Sequence, residues 1–327
     1  METTMKAIRI TENGDANMLT LQTMPIPTPG PGEALIQLKA AGLNFIDIYQ
    51  RIGRYPTALP YTPGLEGAGV VIAIGRDVTE VKPGDRVAYT SNIGSYAEYN
   101  IVKAETLIPL PDDISFVQGA AFPLQGMTAH YLVNEYYDIK PSDTILIHAA
   151  AGGVGLLLIQ WIKKLGATVI GTVSSEEKAR IAKQAGADFI INYTEQDFVA
   201  ETKKITHGRG ADYIIDGVGK TTFTKDLDAV RVCGHICIFG SASGAADPLI
   251  PNALQAKSIT LSGGLLFNYI STRKALLESA NAVLTGIKEG WLTLKVDHVF
   301  PLEQAAEAQR MLEGRKTTGK VILSIDN

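Results

Sequence analysis

At 327 residues, with 46% apolar and 20% charged side chains, the chain is long enough for two domains with substantial cores and has an ordinary globular balance. Its formal net charge of −4 offers no electrostatic footing for nucleic acid or an anionic membrane. The opening residues METTMKAIRI lack an apolar core of signal length, and no uncharged run approaches a membrane span, so a cytoplasmic protein is expected.

The first 125 residues are rich in Pro and Gly and carry short alternating runs at 6–10, 34–41, 69–74, 86–89 and 96–102. Turn residues at 25–31 and 82–85 separate them, which predicts a mostly antiparallel β domain. From about residue 128 the texture changes to alternating strands and helices. Strands are predicted at 144–148, 168–173, 189–192, 213–216, 235–239 and 259–262, with helices at 154–165, 176–184 and 223–230. Six strands with helical crossovers match the two mononucleotide-binding halves of a doubly wound parallel sheet, an α/β Rossmann-type domain. Cys233 and Cys237, the two cysteines, fall in one apolar run; on one strand they would be too far apart for a disulfide and are expected to be buried free thiols. A long helix is predicted at 271–289. The closing run 319–324 reads as a strand with no sheet nearby in sequence, so it is expected to return to the first domain. The expected division is 1–127 for the β domain, 128–267 for the dinucleotide domain and 268–327 for the returning part.

The stretch TILIHAAAGGVG (144–155) is the most informative. It places a strand, a turn of small residues and a helix in succession, the arrangement that offers a pyrophosphate the unpaired N–H groups and partial positive charge of a helix N-terminus. Ala150, Gly152 and Gly155 stand at the key places of the dinucleotide fingerprint, with Gly153 and Val154 between them. Ala150 departs from the usual first glycine, and small residues also serve tight turns for packing alone. The second strand ends in Ser174 and Ser175, with Lys178 beyond, where an NAD-binding unit carries Asp or Glu about 20 residues past the glycines. Hydroxyls and an ammonium suit a 2′-phosphate, which favours NADPH over NADH. The plainer alternative is that Ser174 caps the next helix and Lys178 belongs to its solvated first turn.

Six segments together resemble the zeta-crystallin-like quinone oxidoreductases, a zinc-free branch of the medium-chain dehydrogenase/reductase superfamily: AAGLNFIDIYQRIGRYP (40–56), PGLEGAGVV (63–71), KPGDRVAY (82–89), HAAAGGVG (148–155), YIIDGVG (213–219) and GKVIL (319–323). The resemblance implies a GroES-like β catalytic domain joined to a Rossmann-type domain, with cofactor and substrate in the cleft between them. It also implies where the functional residues lie. Asn44, Asp47, Tyr49, Arg51 and Tyr55 stand where the superfamily puts its metal and substrate. Thr128, at the start of the helix entering the Rossmann domain, matches a residue near the nicotinamide, and Tyr193 one that holds the 2′-phosphate with Lys178. Phe239 and Ser241 would line the nicotinamide half, and Lys320 would lie near the cofactor. Local roles remain open for several: Asp47 as a helix cap, Thr128 as a cap, Phe239 as core. Zinc-dependent members carry Cys and His where this chain has Asn44 and Leu65, so no metal site is expected; the five histidines are scattered without metal spacing.

The leading expectation is therefore NADPH-dependent reduction of a quinone, in which Asn44 and Tyr49 donate hydrogen bonds to the developing oxyanion and Tyr55 stacks on a flat ring. An alkenal or enone reductase on the same scaffold is the alternative. A non-catalytic NADPH- or RNA-binding protein is a third, against which the acidic balance argues for RNA. The edge at 259–267 is expected to pair with a second copy in a homodimer.

Overall fold

The computed structural model describes residues 3–325, and the chain divides into two units; residues 1–2 and 326–327, part of the expected first and last segments, lie outside the described residues. Unit one comprises Met1–Leu124, Ile270–Asn281 and Leu294–Asn327, and unit two Gln125–Tyr269 and Ala282–Thr293. The division gives Ala282–Thr293 to unit two, whereas the sequence suggested that all of 268–327 returns to the first domain.

In unit one, β1 (Thr4–Arg9) and β2 (Thr20–Pro25) form an antiparallel pair. The long run EALIQLKAAGL forms β3 (Glu33–Leu43), and α1 (Phe45–Arg51) follows it directly. The next strands are β4 (Glu66–Ile74), β5 (Arg86–Tyr89), β6 (Tyr99–Lys103) and β7 (Ile108–Pro109). The helices α2 (Phe116–Gly119) and α3 (Pro123–Asn134) precede unit two's sheet. Proline at the first position of α3 costs no helical hydrogen bond, because that N–H would be unpaired in any case. The helix was not legible as an amphipathic pattern: apolar residues lie all round it. Thr128 is consequently inside α3 rather than at a helix start, which removes its reading as a cap.

Unit two then alternates strand and helix: β8 (Thr144–Ile147), α4 (Gly153–Lys164), β9 (Thr168–Val173), α5 (Glu176–Gln184), β10 (Phe189–Asn192), α6 (Phe198–Ile205), β11 (Ala211–Asp216), α7 (Phe223–Ala229), β12 (Val230–Ile238) and β13 (Thr260–Gly263). Every pairing among these strands is parallel, in the order β10-β9-β8-β11-β12-β13. This is the doubly wound Rossmann order, with the direction of winding changing between β8 and β11. Its core gathers Leu146, Ile170, Ile191, Ile214 and Ile236 from five successive positions across the sheet. At the edge, β13 pairs with β12; the chain then turns into α8 (Leu266–Tyr269), and the Tyr136 hydroxyl donates to the Gly263 carbonyl at 2.6 Å.

The helix predicted at 271–289 is α9 (Arg273–Lys288). The chain closes with β14 (Val296–Pro301), α10 (Ala305–Glu313) and β15 (Lys320–Ser324). The GKVILS run does return to unit one: β15 pairs antiparallel with β3, in a sheet of order β14-β15-β3-β4-β5-β7 with β6 also on β3. Only the β14–β15 pair in that sheet is parallel. Among the described residues no helix is long and apolar enough to cross a membrane.

One strand expectation fails. Ala211 and Tyr213 of β11 face Val230 and His235 of β12, so the segment between bulges out of register. Cys233 sits in that bulge at φ 56° and is exposed; Cys237, in the regular part, is buried. Both are free thiols.

Candidate functional site

The loop after β8 is shaped by close backbone approach. Ala149 takes φ 53°, and Gly152 then caps α4 in extended conformation. A Cβ on Gly155 would come within 2.6 Å of the Ala149 carbonyl and 2.8 Å of that of Ala150, so only glycine lets the first turn of α4 sit on its own loop. Ala150 is buried, and its N–H donates to Thr172 of β9 at 3.0 Å. Its methyl lies 2.7 Å from where a Cβ on Gly171 would stand, so the unusual alanine is matched by a glycine on the neighbouring strand. The result leaves the N–H groups of Gly153, Val154 and Gly155 as the first donors of a twelve-residue helix, the geometry that receives a phosphate.

The ends of β9 and β10 bring the second group together. Ser175 is the N-cap of α5, its hydroxyl accepting from the Lys178 N–H at 3.3 Å. The cap is thus Ser175, one residue later than the local reading of Ser174 had it. Ser174 instead receives the Lys178 ammonium at 3.3 Å. The Tyr193 N–H donates to the Val173 carbonyl at 3.0 Å, which sets the exposed Tyr193 beside Ser174. Two hydroxyls, a phenol and an ammonium therefore share one surface at the carboxyl ends of adjacent strands. Across the switch point, Asp216 ends β11, and its carboxylate accepts from Val218 N at 2.6 Å and Gly219 N at 3.1 Å. Phe239 donates its N–H to Asp216 O at 2.9 Å and lays its ring against Gly217, where a Cβ would meet it at 2.7 Å. Ser241 follows in the same turn.

In unit one, three of the expected residues join a buried polar cluster. Asn44 caps α1; its amide donates to Glu66 Oε2 at 2.9 Å, and its carbonyl oxygen accepts from Lys320 Nζ at 2.8 Å. Lys320 also bonds Glu66 Oε2, and Glu66 Oε1 accepts from Leu124 N at 2.6 Å. Lys320 thus spends its ammonium inside unit one. Asp47 Oδ2 accepts from Asn44 N at 2.9 Å, which bears out its reading as a helix cap, and from the Tyr96 hydroxyl at 2.9 Å. Its Oδ1 is buried with no partner. Burial pushes the Asp47 carboxyl up to about 7, outweighing Asn44, Tyr96 and Lys320, which pull it down.

The remaining expected residues lie apart from that cluster. Arg51 is fully buried and donates to Gln309 at 3.0 Å and Glu313 at 2.8 Å, so it ties α1 to α10. Tyr49 and Tyr55 meet edge to face at 5.4 Å, with the Arg54 guanidinium over the Tyr49 ring at 4.6 Å; Tyr55 is the exposed member. Sequence reasoning missed Glu66 and Tyr96 as partners of this site, and in unit two the buried pair His148 and Asp226, whose Nε2 and Oδ1 lie 2.8 Å apart. No local signal marks such partners, since each is supplied from a distant element.

Two family models match the chain, the alcohol dehydrogenase GroES-like domain over residues 30–112 and the zinc-binding dehydrogenase over 153–282. A quinone oxidoreductase of Pseudomonas aeruginosa is 40% identical over 97% of this chain and 99% of its own. A 2-haloacrylate reductase of a Burkholderia species is 38% identical over 96% and 97%. The crystal structure of Escherichia coli quinone oxidoreductase complexed with NADPH superposes with a TM-score of 0.93 at 38% identity, covering 98% of this chain and 99% of that one. Zinc does not suit the residues present. Leu65 has no donor atom, both ends of the Asn44 amide are engaged, and the Lys320 ammonium already neutralises Glu66.

The buried Asp47 carboxyl generates a prediction. Its folded-state proton affinity is raised, so the folded protein binds more protons than the unfolded chain between pH about 4 and about 7, and stability falls as pH rises through that window. The span amounts to on the order of 4 kcal/mol. Asp47→Asn keeps an acceptor for Asn44 N and removes the titration. Urea unfolding from pH 4 to 8 should show the variant gaining on the wild type as pH rises; parallel curves would contradict the assignment.

Proposed function

The chain belongs to the quinone oxidoreductase family of the medium-chain dehydrogenase/reductase superfamily, and from that premise we propose that it reduces quinones with NADPH by hydride transfer, without a metal. The observation that carries the cofactor choice is the meeting of Ser174, Lys178 and Tyr193 at the ends of β9 and β10, with no carboxylate among them to repel a 2′-phosphate. The N-terminus of α4, opened by Gly152, Gly153, Val154 and Gly155, holds the pyrophosphate, and Ala150 fixes the loop that leads into it. Phe239 and Ser241 bound the nicotinamide end, and Thr128 in α3 supports it. When bound, the cofactor supplies the hydride.

The residues of unit one divide into two tasks. Asn44, Asp47, Glu66 and Lys320 hold the start of α1 rigid, while the exposed Tyr55, backed by the buried Tyr49, offers aromatic surface to a flat conjugated acceptor. Arg51 has no substrate task in this reading, and neither does Asn44 as an oxyanion donor, because both side chains are already committed within the protein. A quinone needs little more: it accepts hydride readily and becomes aromatic on two-electron reduction. Reduction of an activated carbon–carbon double bond is the second reading, favoured by the 2-haloacrylate reductase among the relatives. The free thiols of Cys233 and Cys237 support a reducing, cytoplasmic setting.

Steady-state assays of NADPH oxidation should show turnover with 1,4-benzoquinone exceeding that with 2-alkenals or 2-chloroacrylate, undiminished by exhaustive chelation. A reversed order selects the second reading, and loss of activity with bound zinc removed would refute the metal-free chemistry.

Lys178→Ala should raise the KM for NADPH by the worth of one charge-assisted contact, about 1.5–3 kcal/mol, and leave that for NADH nearly unchanged. Equal use of both cofactors by the wild type would sink the assignment.

We also propose a two-fold dimer through the β13 edge. The strand pairs with β12 on one side, Leu265 beyond it is exposed, and closed two-fold symmetry is the commonest assembly of soluble enzymes. Sedimentation equilibrium at micromolar concentration should give twice the mass of one chain, and Leu261→Pro should shift the population toward monomer. A wild type that stays monomeric would show that Tyr136 and the turn into α8 suffice to close the edge.

A further inference from the structure

A buried acid cluster lies directly behind the loops just described. His148, the last residue before the small-residue turn, is almost wholly enclosed. Its Nδ1 lies 2.9 Å from Thr172 Oγ1 on β9 and its Nε2 2.8 Å from Asp226 Oδ1 on α7, while Phe198 of α6 closes over the ring at 4.8 Å. Asp226 is fully buried, and its Oδ2 has no donor. The neighbour on that side is the carboxyl of Asp216, whose Oδ1 already serves Val218 N and Gly219 N and whose Oδ2 accepts from Thr222 Oγ1 at 2.8 Å. Two enclosed carboxyls side by side cannot both ionise cheaply, and one proton between them supplies the donor that Asp226 Oδ2 lacks. On the outer side of Phe198, Lys225 and Asp197 pair with each other at 3.3 Å.

The cluster therefore reaches three chain segments around the switch point: the turn after β8 through His148, β9 two residues before Ser174 through Thr172, and the 217–219 loop through Asp216. We propose that Asp226, braced by His148 and Asp216, is the positioning residue of the cofactor loops, and that the proton held between the two carboxyls favours binding of the anionic dinucleotide. The proposal rests on the NADPH reading. Losing that proton adds one negative charge to the cluster, beneath loops that must receive phosphates. Burial pushes the Asp226 carboxyl up to about 7, so the loss falls near neutral pH. His148, which burial alone would depress, is held above its ordinary value by Asp226 and Asp216.

NADPH dissociation constants, read by nucleotide fluorescence from pH 6 to 8.5, test this in wild type and Asp226→Asn. Dividing one by the other cancels the titration of the cofactor's own phosphate. The ratio of wild-type to variant Kd should rise about threefold or more across the range, the effect of one added charge. His148→Gln, which removes the cation that favours ionised Asp226, should move the rise to higher pH. In the absence of cofactor, wild-type stability should fall relative to Asp226→Asn between pH about 4 and about 7, because the folded-state proton affinity of Asp226 is raised. A flat Kd ratio in a wild type that binds NADPH overturns this proposal alone. A wild type that binds no NADPH overturns the cofactor reading and this proposal with it.

Discussion

The reversal of winding between β8 and β11 is the constraint on which unit two depends. Crossovers leave these neighbouring strands in opposite directions, so their carboxyl ends border the switch point at which open α/β sheets generally take their ligands. The price is backbone left without strand partners at that place. Small residues allow the turns, as at Gly155, where the Ala149 and Ala150 carbonyls crowd the helix. Side chains from elsewhere then satisfy the stranded N–H groups, as Asp216 does for Val218 and Gly219, and Ser243 donates its hydroxyl to the Val218 carbonyl at 2.8 Å. A buried carboxylate is a consequence of that need, and a second one beside it turns a structural support into a group that can sense protons.

Unit one solves a related problem with a different ion. Glu66 is fully buried where β4 begins, and it is made tolerable by the Lys320 ammonium, the Asn44 amide and the Leu124 N–H. Removing the Lys320 ammonium would leave an uncompensated charge in a low-dielectric site, a cost of several kcal/mol. An ammonium balances the charge but cannot polarise a carbonyl as a Lewis acid would. On the proposed function, such a site suits acceptors that take hydride with the help of positioning and hydrogen bonds.

Elements with a strong local period were legible in the sequence, and those governed by distant partners were not. The helix 176–184 and the strands at 168–173 and 189–192 fall where alternation and turn residues place them. The return of 319–324 to the first sheet was also readable, because a strand needs a partner and none lay nearby in sequence. The helix α3 was expected only through the resemblance, and with its start placed at Thr128, since a helix apolar on every side has no stripe; Cys233 was misplaced because a bulge has no hydrophobic signature. In the candidate site, the residues of the turn and Ser174, Ser175 and Lys178 could be named from spacing, whereas Tyr193 came only with the resemblance. Arg51 could not be told from a substrate residue, since its acceptors Gln309 and Glu313 come from the far end of the chain. Asp226 was invisible for the same reason: it reaches His148 across 78 positions.

On the proposed function, what distinguishes one acceptor from another lies in the aromatic surface at Tyr55. Tyr49 is fixed by Phe45, Tyr55 and the Arg54 guanidinium, and the exposed Tyr55 has few rotamers to lose on binding. Rigid rings reward a flat conjugated molecule through dispersion and quadrupole contacts, and they make no directional demand on its substituents. A saturated carbonyl compound gains little from such a surface, and the side chains of Asn44, Leu65 and Glu66 do not suit a zinc ion that would activate it. Selection by flatness and by intrinsic hydride affinity is accordingly the form of specificity that these residues can provide.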